Sequence, residues 1–255
     1  METTLAHFLK AVDIQCETEG RESASVALAL GNIAVIYCEL GEYGKALEKL
    51  QEAIGIARRT NDDDDDAHAL SAMLFNVGNI YRAQGLEEDA EDKLNESILI
   101  CRRLHGEKHP DVADVLVSIA ALKLSQGCHE EALKMLEKAI KTQRHCLGDD
   151  HASVGATIGG IGGVYSSQGK WKKALKKYEE ALGVVIRASG LEHPEVACMR
   201  YMVALCKESV GDKEGALESV RESLRIYSKV RISSTHLHAQ LAAKLMRRLE
   251  EPGGL

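Results

Sequence analysis

The chain has 255 residues, 45% of them hydrophobic and 28% charged, with a formal net charge of −7. That acidity excludes a nucleic-acid binder, which needs a basic patch or stripe to meet phosphates, and the absence of any 18-residue apolar run excludes membrane insertion. Three prolines and 4% aromatics suit an all-α chain packed with Ala, Leu, Ile and Val, and sheet is not expected anywhere.

The first residues, 1–20, read as one amphipathic helix, a capping helix or half repeat. Leu5, Phe8, Ala11, Val12 and Ile14 superimpose with a constant offset of 42 residues on Leu47, Leu50, Ala53, Ile54 and Ile56, so the chain is expected to open on the second helix of a unit, either as a cap or as part of a longer array. Acidic residues interrupt this segment and arginine is sparse, so neither a secretory signal nor a transit peptide is expected, and the location is read as cytoplasmic, with cytoskeletal association as an option. Seven cysteines, without any Cys-x-x-Cys pair, fit small core residues in a reducing compartment.

From residue 21 onward one glycine recurs, as Gly41, Gly85, Gly127, Gly169 and Gly211, spaced 44, 42, 42 and 42 residues apart and each followed five residues later by an alanine. A fixed period of this length predicts a solenoid of stacked units: residues 21–60, 61–105, 106–147, 148–189 and 190–231, closed by a C-terminal capping helix and tail at 232–255. Apolar residues keep helical spacing on both sides of each glycine, as in Val26, Leu30, Ile33, Ala34 and Tyr37 before Gly41 and Leu47, Leu50, Ile54 and Ala57 after it. Each unit is therefore a helix pair turned at a left-handed glycine, and about 12 helices are expected in all. Seven residues before the glycines stand Ala34, Gly78, Ala120, Gly162 and Ala204, all small, and twelve after them stand Ala53, Ser97, Ala139, Ala181 and Ser223. Small residues at fixed registers predict close helix approach.

Asp62 to Asp66 lie between the first two full repeats. They lack the glycine and glutamate of a helix–loop–helix calcium site and are read as a solvated loop whose last aspartates cap the next helix, with contact to a basic partner as the competing reading. In repeat four, Gly155, Gly159, Gly160, Gly162 and Gly163 fall inside a predicted first helix; the segment lacks the Gly-Lys-Ser/Thr ending of a phosphate loop. At about 0.5–1 kcal/mol each, four such glycines are expected to weaken this repeat by about 2–4 kcal/mol relative to alanine.

The registers of small residue, tyrosine, glycine and alanine resemble the tetratricopeptide repeat. Its usual period is 34 residues, and a period near 42 alone would also suit HEAT or armadillo units. The extra residues sit at the joints, which read Leu104-His-Gly-Glu-Lys-His109-Pro110, Leu147-Gly-Asp-Asp-His151 and Gly190-Leu-Glu-His193-Pro194. These resemble the long repeats of kinesin light chains and nephrocystin-type proteins. Pro110 and Pro194 mark helix starts, and the recurrent histidine is expected to cap or pack the joint.

In such a right-handed stack the first helices line the concave surface. The resemblance implies that the amides nine residues before the glycine, Asn32 and Asn76, hydrogen-bond an extended peptide there, since an amide supplies donors and an acceptor. Phe75, Asn79, Arg82, Ser118 and Tyr201 complete the expected groove. Asparagine is missing from the last three repeats, and with Arg82 as the one clear groove cation, recognition of an acidic chain terminus is not expected. No catalytic constellation, cofactor or metal ligand set is expected. The resemblance implies a non-catalytic scaffold or adaptor for a protein or peptide partner; the alternatives are a subunit built permanently into a large assembly, or a ligand-sensing regulator.

Overall fold

The computed structural model describes residues 2–60, 64–230 and 237–251, and among them it contains twelve α-helices and no strand. They are α1 (Glu2–Thr18), α2 (Ala24–Glu39), α3 (Tyr43–Thr60), α4 (Asp64–Ala83), α5 (Glu87–His105), α6 (Pro110–Ser125), α7 (His129–Leu147), α8 (Ala152–Ser167), α9 (Trp171–Ser189), α10 (Pro194–Ser209), α11 (Lys213–Lys229) and α12 (Leu237–Glu250). None of them is long and apolar enough to cross a membrane. The helices group into two compact units, residues 1–122 and 123–255, with the boundary inside α6.

Two glycine series set the turns. At the end of each first helix Gly41, Gly85, Gly127, Gly169 and Gly211 have φ between 69° and 88°. The next N–H then donates back to the carbonyl of the residue four before the glycine: Tyr37, Tyr81, Lys123, Tyr165 and Lys207 accept at 2.8–2.9 Å. This six-to-one bond satisfies a carbonyl the helix end would leave orphaned, and it recurs whether the register holds tyrosine or lysine because it uses only backbone. The second series, Gly106, Gly148 and Gly190, ends second helices with φ 78–89° and ψ 165–174°. That region is essentially open to glycine alone, so these joints demand glycine more strictly than the turns within repeats.

The joint histidines behave as caps. His151 and His193 are the N-caps of α8 and α10, their Nδ1 atoms accepting the backbone N–H of Ser153 at 3.2 Å and Glu195 at 3.3 Å, and His109 Nδ1 likewise accepts from Asp111 N at 3.3 Å. Asp64, Asp65 and Asp66 form the first turn of α4, where carboxylates complement the positive end of the helix; Asp62 and Asp63 lie outside the described residues.

In unit 1, α1 packs on α2, α2 on α3, α3 on α4 and α4 on α5, and α2 also touches α4. Ala46, Ala53, Ala90 and Ser97 are fully buried, so these helices meet nearly backbone to backbone. A Cβ at Gly78 would lie 2.7 Å from Leu94 Cγ, showing how closely Leu94 sits on α4. Where the small residue is serine it also bonds: Ser97 Oγ donates to Ser71 O at 2.9 Å, and in unit 2 Ser223 Oγ donates to Ala197 O at 2.7 Å. Those hydroxyls are buried with their requirements met.

In unit 2, α8 packs between α7 and α9, α10 lies against α9 and α11, and α12 closes on α10 and α11. The glycine-rich helix runs unbroken from Ala152 to Ser167, with Val154, Ile158, Ile161 and Val164 buried. Bulky neighbours occupy the space its missing side chains leave. A Cβ at Gly155 would stand 2.6 Å from Val185 Cγ2, at Gly159 3.1 Å from Met199 Cε, at Gly160 3.3 Å from Leu136 Cδ2 and at Gly162 3.0 Å from the Tyr178 ring. The local helix penalty of these glycines is thus set against tight packing from three neighbouring helices.

Candidate functional site

Unit 1 carries a polar strip on its first helices. On α2, Leu28, Asn32 and Val35 fall at the i, i+4, i+7 spacing of one helix face; Asn32 is exposed, and Leu28 and Val35 are 51% and 41% exposed. The same registers on α4 are Ala72, Asn76 and Asn79, with Ala72 exposed and both amides half-buried. The two helices lie side by side here: a Cβ at Gly31 would be 3.6 Å from Met73 Cε, one residue from Asn32 on one helix and three from Asn76 on the other. Among the described residues the amides of Asn32, Asn76 and Asn79 and the exposed Arg82 guanidinium make no hydrogen bond or ion pair within the chain. Three amides and a guanidinium, flanked by uncovered aliphatic side chains, offer donors, acceptors and apolar contact on one face.

The remaining expected residues are half-buried or buried. Phe75, half-buried on α4, lines a cavity of about 190 Å³ between α4, α5 and α6 together with His68, Ser71, Ala72, Ser97, Cys101, Asp111, Asp114 and Val115. Ser118 is only 9% exposed. Tyr201 is 7% exposed and packs with Ala204, Ala216, Val220, Ala242, Leu245 and Leu249, beneath α12. That burial leaves Tyr201 little surface for a groove contact: it stands one residue from the Met202 register, and α12 packs against it. Trp171 opens α9 half-buried against the cluster of Ala174, Tyr178, Val203 and Cys206, and Lys173 lies over the Tyr165 ring, 5.7 Å from its centroid.

At the joint between repeats two and three the fold gathers side chains that are far apart in the sequence. His68, near the start of α4, brings Nδ1 to 3.1 Å from Nε2 of His105 at the end of α5, and to 3.6 Å from Oδ2 of Asp111 in the first turn of α6. His109 stacks on His105 with ring centroids 4.2 Å apart, its Nδ1 3.4 Å from the same Asp111 oxygen. In the adjoining cavity Ser71 Oγ is 2.9 Å from Cys101 Sγ. Burial pushes the Cys101 thiol above its ordinary range, and the serine contacts pull the other way. The expectation of no metal ligand set rested on spacing along the chain, which hides a cluster assembled across three helices.

No curated protein matches this sequence. Among solved structures, the chain is similar to BtubC (BKLC) from P. vanneervenii, at 18% identity over 91% of this chain and 92% of that one, with a TM-score of 0.72. It is similar to a Podosopora anserina putative kinesin light chain with nearly identical TPR-like repeats, at 20% identity over 83% and 99% of the two chains and a TM-score of 0.62. It is also similar to NprR in complex with its cognate peptide NprX, at 16% identity over 94% of this chain and 67% of that one, with a TM-score of 0.68. At these identities the likeness is one of fold, and it agrees with the helix pairs, glycine turns and buried small residues described above. The tetratricopeptide repeat model matches residues 1–59, 68–145, 111–184 and 153–229, so the chain belongs to the tetratricopeptide repeat family.

Proposed function

We propose that the protein is a non-catalytic interaction scaffold that receives an extended segment of a partner protein on the first-helix face of unit 1. The observation that carries the reading is the strip of Asn32, Asn76, Asn79 and Arg82, whose polar groups have no partner within the described chain, bordered by exposed Leu28 and Val35. An extended backbone needs alternating donors and acceptors, which amides supply together, and the aliphatic neighbours supply the desolvated contact that makes such bonds worthwhile. NprR, a structure of the same fold, is seen with a peptide, which supports a peptide-receiving role for this architecture. The likeness to a putative kinesin light chain supports a cytoplasmic adaptor, with cytoskeletal association as one setting.

Catalysis is not part of this reading. The strip has no convergent acid, base and nucleophile, and the thiols that burial shifts, Cys101, Cys198 and Cys206, are all pushed upward, away from the reactive thiolate.

Affinity purification of the wild-type chain beside the Asn32→Ala/Asn76→Ala double variant, with quantitative mass spectrometry, tests it. A stoichiometric partner held by the wild type and lost by the variant sustains the scaffold reading on this face. A large complex retained by both identifies a built-in structural subunit held through other surfaces and overturns the strip.

A further inference from the structure

We propose that His68, His105 and Asp111 form a binding site for a divalent transition metal of the zinc type, pinning α4, α5 and α6 together at the joint between repeats two and three. The three side chains offer one ligand atom each, and these atoms all lie within 4.8 Å of one another. A tetrahedral zinc ion with bonds of about 2.0–2.1 Å holds its ligand atoms roughly 3.3 Å apart. The observed separations from His68 Nδ1, 3.1 Å to His105 Nε2 and 3.6 Å to Asp111 Oδ2, bracket that edge. The third separation, between His105 and Asp111, lies within 4.8 Å, and side-chain rotation that closes it toward the same edge admits an ion.

The chemistry selects the class of metal. Two imidazoles and one carboxylate are a borderline donor set that suits zinc, cobalt, nickel or copper and serves calcium and magnesium poorly, because those want six or more oxygens. Three protein ligands leave a fourth position open. His68 and Asp111 stand on the wall of the 190 Å³ cavity, so water or a partner's side chain has room beside the ion. His109 supplies orientation: its ring stacks on His105, and its Nδ1 accepts the Asp111 backbone N–H, fixing the residue whose carboxylate binds. The His68 side chain is half exposed and that of Asp111 about a third, which gives an ion a path in.

The repeat itself argues that this joint is special. The histidine at the register of His109 recurs as His151 and His193 and caps a helix each time, which is structure. The registers of His68, His105 and Asp111 do not recur as a ligand set: one repeat later they hold Pro110, Leu147 and Ser153, and two repeats later Ala152, Ser189 and Glu195, where only the carboxylate remains. A hydrogen bond between His68 and His105 would close the joint by itself, with one ring donating to the other, but it gives no reason for Asp111 to face both.

The test is equilibrium dialysis of the full chain, freed of metal by chelator, against Zn²⁺, with a parallel titration of Co²⁺ followed by visible absorption. About one equivalent of Zn²⁺ is expected, with a Co²⁺ spectrum of four-coordinate nitrogen and oxygen ligation and a melting temperature that rises with free Zn²⁺. His105→Ala and the near-isosteric Asp111→Asn are each expected to weaken binding about tenfold or more, whereas the cap variant His151→Ala retains it. Asp111→Asn decides the matter should His105→Ala lose helicity. Failure to retain Zn²⁺, binding that survives both substitutions, or a thiolate charge-transfer band in the Co²⁺ spectrum would each overturn the site.

Discussion

Units 1 and 2 are built on the same registers, yet they spend them differently. Nine residues after each turn glycine stand Leu50 and Leu94 in unit 1 and Leu136, Tyr178 and Val220 in unit 2, and each of Leu94 and Tyr178 presses on a glycine of the paired first helix, Gly78 or Gly162. The outward registers diverge. Unit 1 presents Leu28, Asn32 and Val35, then Ala72, Asn76 and Asn79; unit 2 presents Ala156, Gly160 and Gly163, then Cys198, Met202 and Leu205, with Met202 and Leu205 partly covered by the cluster that holds α12. Backbone packing tolerates little variation because interiors are close-packed, whereas an outward side chain is free to change, so the differences between the two units concentrate on that face.

The largest effect expected from breaking this pattern is in unit 2. Tyr178→Ala removes the ring that lies over Gly162 and should cost about 3–5 kcal/mol, measured by urea denaturation followed at α9 and α10. The counterpart in unit 1, Gly78→Ala, introduces a methyl 2.7 Å from Leu94 Cγ and 3.3 Å from the Ala90 carbonyl oxygen, and should destabilise by about 1–3 kcal/mol. Gly183→Ala sharpens the contrast with the opposite sign: its nearest neighbour is the flexible end of Arg187, and the helix should gain about 0.5–1 kcal/mol. His151→Ala removes the cap of α8 and should cost on the order of 1 kcal/mol, most visible as faster amide exchange in the first turn of that helix. The smallest change in stability, within about 0.5 kcal/mol, is expected for Asn32→Ala/Asn76→Ala, since neither amide bonds within the described chain; a larger loss in melting would show that they are structural.

Thiol reactivity offers a separate check on unit 2. Burial pushes the Cys206 thiol up to about 11, so it stays protonated at pH 8, while Cys146 is exposed. Alkylation at pH 8 should consume Cys146 first and Cys206 last, and reactivity at Cys206 should rise only as the pH approaches that value or as the unit opens. The glycine-rich α8 adds a comparison within the first helices: faster hydrogen exchange there than in α4 is expected from the glycine penalty, and equal protection would mean that packing from Leu136, Tyr178, Val185 and Met199 offsets it.

The repeat is legible in the sequence alone. A glycine at a fixed period, a small residue seven before it and an alanine five after it determine helix pairs, their turns and their close approach, because each is a local or nearest-neighbour requirement that the sequence must meet at the same register every time. His109, His151 and His193 were legible as joint caps for the same reason. What tertiary structure decided were the features that depend on non-repeating partners. Tyr201 became core because α12, which belongs to no repeat, folds over it. The bulky residues set against the α8 glycines come from α7, α9 and α10, and only the Tyr178–Gly162 pair repeats a register contact seen elsewhere, at Leu94–Gly78. Gly106, Gly148 and Gly190 stand in the sequence, but only backbone angles show that no other residue fits there. The cluster of His68, His105 and Asp111 has no signature along the chain, since its members come from three helices, and side chains 37 and 6 residues apart become neighbours only when those helices pack. Periodicity determines how each helix meets the next; packing of particular side chains decides which chemistry that meeting brings together.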